Sequence, residues 1–77
     1  MSLLFEEIRD IICKQLNIDE SFVYPDTNLM KSLDVDSLNL REIILAIEDK
    51  YQVEIPDDEI DNMNTVGDII AYLSKEA

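Results

Sequence analysis

Residues 33–51 read Leu33-Asp34-Val35-Asp36-Ser37-Leu38-Asn39-Leu40-Arg41-Glu42-Ile43-Ile44-Leu45-Ala46-Ile47-Glu48-Asp49-Lys50-Tyr51. With Ile43 as zero, Leu40, Ile44, Ile47 and Tyr51 fall at about 60°, 100°, 40° and 80° around a helix of 3.6 residues per turn. They form one apolar stripe, so Ser37 to Tyr51 is expected to be a helix with Asp36 as its N-cap. Leu38 and Leu45 fall near 220° and 200° on the same wheel. They point away from the stripe, and Arg41, Glu42, Glu48 and Asp49 surround them. Two isolated surface leucines need no explanation. Two on one outward face, rimmed by charge, have the makings of a docking site.

The neighbouring segments complete an all-α pattern. Leu4, Phe5, Ile8, Ile11, Ile12 and Leu16 share a helical face over about Ser2 to Leu16. Ser2 is the expected N-cap, and Glu6 and Glu7 suit the positive end. Cys13 lies off the centre of that stripe and reads as a tolerated, partly exposed thiol. Residues 17–35 show no sustained period and hold the turn formers Asn17, Asp19, Pro25, Asp26, Thr27 and Asn28. A connection this long must be pinned by its own apolar side chains or be functional, and it is expected to drape across the helices with Leu29 and Leu33 inserted. After the turn Glu54-Ile55-Pro56, Asp57 to Asp61 reads as a short acidic helix. The last helix begins at Thr65, with Asp68 completing an approximate capping box and Val66, Ile69, Ile70 and Leu73 on one face. The expected fold is a small four-helix bundle, three longer helices and one short, with a long loop between the first two.

Composition bounds the function. The chain has 77 residues, with 18 acids, 6 bases and a formal charge of −12. That length allows one domain, residues 1–77, and no deep catalytic cleft. A polyanion is a poor partner for nucleic acid or an anionic leaflet, and basic protein patches are its natural complement. Histidine is absent, so no Ser-His or Cys-His pair exists and the zinc-ligand set is poor. One glycine cannot make a phosphate loop. The apolar runs are short and the N-terminus lacks a signal-like core, so a cytoplasmic monomer is expected. These features point away from an enzyme, and neither catalytic residues nor metal ligands are assigned.

Ser37 sits where a loop meets a helix. A phosphate attached there would meet the orphan N–H groups and the positive end of the dipole. No internal base can activate it, so another protein would have to. On spacing alone, helping to cap the helix is the simpler reading.

The whole chain, however, resembles an acyl carrier protein. Asp36-Ser37-Leu38 is similar to that family's Asp-Ser-Leu signature. Glu42, Leu45 to Tyr51 and Glu54 to Glu59 resemble its second helix and the following turn. Thr65-Val66-Gly67-Asp68 with Ile69 and Tyr72 resembles its last helix, and Ile11-Ile12 with Gln15-Leu16 its first. The resemblance implies that a phosphopantetheinyl transferase, using magnesium and coenzyme A, joins 4′-phosphopantetheine to Ser37 Oγ, with Asp36 supporting the attachment site. It implies an arm thiol that carries acyl groups as thioesters between enzymes of fatty-acid, polyketide or related synthesis. Leu38, Arg41, Glu42, Leu45, Glu48 and Asp49 then sit where the family meets basic patches on acyl-transfer and condensing enzymes.

Some positions depart from the family pattern. Asp34 stands where glycine is usual, Asn39 where an acid is usual, and Arg41 where an apolar residue is usual. They fit either a specialised carrier with dedicated partners or drift within ordinary fatty-acid carriers. The rival readings are an acidic helical interaction module without a prosthetic group, and a calcium site. Asp34-Val35-Asp36 begins like an EF-hand loop, but Leu38 and Leu45 occupy positions that must be ligands.

Overall fold

The computed structural model describes residues 3–76. The expected cap at Ser2 lies outside the described residues. Five α-helices follow in order: α1 (Leu3–Leu16), α2 (Leu29–Ser32), α3 (Ser37–Tyr51), α4 (Asp57–Ile60) and α5 (Val66–Glu76). A 3-10 turn at Glu20–Phe22 lies between α1 and α2, and no strand is present among the described residues. The three long helices and the short acidic helix match the periodicity. The structure adds the 3-10 turn and α2 inside the long connection, where four residues are too few to show a period.

α1 packs on α3 and α5. The core is built from Phe5, Ile8 and Ile12 of α1, Ile43, Ile44 and Ile47 of α3, and Val66, Ile69 and Leu73 of α5. Side chains of α2 and of the loops complete it. Val23, Leu29, Val35, Ile55 and Met63 are all buried. Leu33 is only half-buried against this cluster, so Leu29 is the main anchor of the connection. Fully burying a side chain of this size contributes roughly 1.5–3 kcal/mol.

A set of backbone bonds fastens the connection to the start of α5. Asn28 and Thr65 form an antiparallel bridge. Leu29 N–H donates to Asn64 O (2.9 Å), Val66 N–H to Thr27 O (3.2 Å) and Gly67 N–H to Pro25 O (2.7 Å). A Cβ at Gly67 would stand 3.0 Å from Pro25 O, so any larger residue would push the two backbones apart by a few tenths of an ångström and glycine suits the close approach. Thr27 is buried, and its Oγ1 accepts from Tyr24 N–H at 2.7 Å. Thr65 and Asp68 form the expected capping box. Asp68 N–H donates to Thr65 Oγ1 (3.1 Å), while Asp68 Oδ2 accepts from Thr65 N–H (3.0 Å) and Asn64 N–H (2.9 Å).

At the other end of α3, Gln52 takes a left-handed conformation (φ 56°) and ends the helix. Tyr51 Oη donates to Glu7 Oε1 at 2.6 Å and ties α3 to α1. Desolvation, followed by the Glu7 contact, pushes the Tyr51 hydroxyl well above its ordinary range.

Candidate functional site

The loop that carries Ser37 is placed from below. Val35 is buried, and its N–H donates to Leu29 O (3.1 Å), so the residue before Asp36 is held by the anchored connection. Asp34 adopts φ 53°, a left-handed conformation that turns the chain toward the helix. Asp36 then caps α3. Its Oδ1 accepts from Asn39 N–H at 2.8 Å, and its carbonyl accepts from Leu40 N–H at 3.0 Å.

Ser37 is therefore the first residue of α3 and not its cap. The residue-level reading of Ser37 as a capping serine gives way to Asp36, which already satisfies the N3 amide. Ser37 is exposed, and its hydroxyl has no hydrogen-bond partner among the described residues. The amides of Ser37 and Leu38 are outside the helical ladder, as the first turn of any helix requires. A shallow hollow beside Ser37 is lined by Leu38, Leu40, Arg41, Ile60 and Asp61. An exposed hydroxyl, free first-turn amides and a neighbouring guanidinium suit a serine-linked phosphodiester.

The outward face of α3 is as the wheel placed it. Leu38 is 65% exposed and Leu45 is 56% exposed. Arg41, Glu42 and Asp49 are exposed around them. Arg41 Nη2 lies 3.5 Å from Asp57 Oδ1 of α4, with both side chains mostly in solvent. Glu48 differs from the rest. It is half-buried, and its Oε2 accepts from Ile55 N–H at 2.6 Å. It therefore holds the turn after α3, a duty that its place in the sequence did not reveal. Leu45, Glu48, Asp49, Val53 and Ile55 line an open depression there.

Cys13 is half-buried, and desolvation raises its thiol pKa, the opposite of the lowering that an activated cysteine needs. Among the described residues, no three Cys, Asp or Glu side chains are grouped to hold a metal ion.

A family model described as "Phosphopantetheine attachment site" matches residues 6–73. Curated acyl carrier proteins are similar along almost the whole length. One from Helicobacter pylori strain J99 is 41% identical over 70 residues, 91% of this chain and 90% of that protein. Another from Helicobacter pylori strain G27 is 43% identical over 70 residues, with the same coverage. One from Lactobacillus acidophilus is 41% identical over 70 residues, 91% of this chain and 88% of that protein. The chain belongs to the acyl carrier protein family. This carrier bears a covalent 4′-phosphopantetheine arm and holds acyl groups on it; it is not an enzyme. It works with a transferase that loads it and with enzymes of acyl transfer and synthesis. No helix among the described residues is long and apolar enough to cross a membrane.

Proposed function

We propose that residues 1–77 act as one domain, that Ser37 Oγ is the attachment atom of the arm, and that the outward face of α3 is where the carrier meets its enzymes. The observation that carries this reading is Ser37 itself: exposed, without a side-chain bond among the described residues, and placed at the first position of a 15-residue helix whose cap is supplied by Asp36. The arm supplies a thiol at its far end, on which an acyl chain is held as a thioester. The protein's own part is to present that arm. Asp36 fixes the helix start, the first-turn amides and dipole favour the phosphodiester charge, and the anchored connection keeps Ser37 at a corner open to partners.

Leu38 and Leu45 supply a small apolar contact, and Glu42 and Asp49 supply charge for basic patches. Such a surface speeds encounter without making release slow. Glu48 belongs to this rim by position while its carboxylate holds the Ile55 turn. The setting we propose is the cytoplasm, with fatty-acid synthesis as the pathway; a family match along almost the whole chain supports the carrier role on which this rests.

Intact mass after incubation with coenzyme A, magnesium and a broad transferase tests the attachment. The wild type is expected to gain one phosphopantetheine and Ser37→Ala none. A wild type left unmodified by several transferases would favour the bare interaction module. Leu45→Ala is expected to slow acyl transfer to a condensing enzyme severalfold with the fold intact; unchanged kinetics would remove Leu45 from the docking face.

A further inference from the structure

Arg41 is a lone cation of α3's outward face, one helical turn after Ser37. Residues four apart on a helix have Cβ atoms about 5–6 Å from one another. Long helical side chains lean toward the N-terminus and cover the turn before their own Cα. Arg41 therefore covers the turn that Ser37 begins, and the two residues line one hollow with Leu40, Ile60 and Asp61. Its present ion pair is weak. The separation from Asp57 is 3.5 Å, and the side chains are 59% and 81% exposed. A guanidinium so placed keeps donors to spare.

We propose that Arg41 is a phosphate-holding residue of the loaded carrier: its guanidinium leaves or shares Asp57 and donates to the phosphodiester on Ser37. This rests on the reading that Ser37 carries the arm. The two unesterified oxygens of a phosphodiester match the arginine fork, which a solvated carboxylate held by one long contact does not. Asp61 lines the same hollow and repels such a group, so the cation decides where the phosphodiester leans. The consequence resolves an oddity of the surface. A positive charge in the middle of an acidic docking face would repel basic partners. Once the phosphodiester neutralises it, the loaded carrier shows those partners a more uniformly acidic face than the unloaded one.

The test uses wild type, Arg41→Gln, Arg41→Lys and Asp57→Asn, each loaded enzymatically, with the mass gain confirmed first. On loading, the Arg41 Nε–Hε NMR signal is expected to shift in wild type and at least as far in Asp57→Asn. The phosphorus-31 signal of loaded Arg41→Gln is expected to differ from that of loaded wild type at low salt, with Arg41→Lys between them. An Arg41 signal unmoved by loading, or coincident phosphorus signals in loaded wild type and Arg41→Gln, would overturn the proposal while leaving Ser37 as the attachment site. A wild type that no transferase loads would overturn both.

Discussion

Asp34 shows most clearly how one residue carries a local cost. A left-handed backbone is disfavoured for an L-residue by roughly 1–2 kcal/mol, less for Asp and Asn, and glycine escapes it. Glycine also loses more freedom on folding, roughly 0.5–1 kcal/mol, which offsets part of the gain. Asp34→Gly additionally removes one negative charge from a chain at −12. We expect it to stabilise the protein by up to about 1 kcal/mol, seen as a melting temperature a few degrees higher. A lower melting temperature would mean that the Asp34 carboxylate has a local partner worth more than the backbone cost. The departure at position 34 was visible in the sequence, but its meaning was not, because φ 53° is a property of the folded turn.

At the scale of elements, Glu48 and Asp68 separate structural acids from surface acids. Glu48→Ala leaves the Ile55 amide without its acceptor. We expect a loss of about 1–3 kcal/mol in urea unfolding, with Glu48→Gln keeping most of it. Glu42→Lys, by contrast, should leave stability nearly unchanged, because exposed charges contribute little. Asp68 accepts from two backbone amides at the start of α5, and these bonds hold its carboxyl below the ordinary carboxylate range. A depressed folded-state pKa gives stability that is present above the unfolded value, about 3.9, and lost as pH falls through the folded one. The stability gap between wild type and Asp68→Ala should thus be full at neutral pH and close in acid. A gap that stays constant down to the acid limb would mean that the capping box does not depend on the carboxylate.

The long helices, the Asp36 cap and the Thr65–Asp68 box were legible because each is local: a period, or a pair three residues apart. The outward placement of Leu38 and Leu45 was legible for the same reason. What was hidden is non-local. Glu48 lies at about 140° on the α3 wheel, between core and solvent, and only the returning turn at Ile55 decides its role. The pairing of Asn28 with Thr65 joins residues that share no sequence signal. α2 is a single turn held by Asn28 Oδ1, which accepts from Lys31 N–H at 2.9 Å, and by the burial of Leu29.

For the whole molecule, charge is the main lever on stability. The described chain measures 27 × 26 × 19 Å. Screening length falls from about 30 Å at 0.01 M salt to about 8 Å at 0.15 M. At low salt every acid therefore feels every other; near physiological salt only neighbours do. The melting temperature should rise over that range and rise further with magnesium. A flat or falling response would show that the acids are already balanced by local bonds such as those of Glu48 and Asp68. Between Asp34 and Asp68 there are 11 acids and two bases, Arg41 and Lys50, so the repulsion is concentrated around α3 and its flanks.

The clasp between residues 25–29 and 64–67 has a consequence for the order in which a newly made chain matures. Ser37 lies near the middle of the chain, and α3 can coil from local bonds alone. Yet Val35 leans on Leu29, and Leu29 leans on Asn64, which follows α3 and α4 in the chain. Until Asn64 to Gly67 emerge, the corner that presents Ser37 lacks its fastening. A released chain truncated before Asn64 would leave Ser37 on a frayed helix end, so, with Ser37 as the proposed attachment site, loading is expected to require the C-terminal segment.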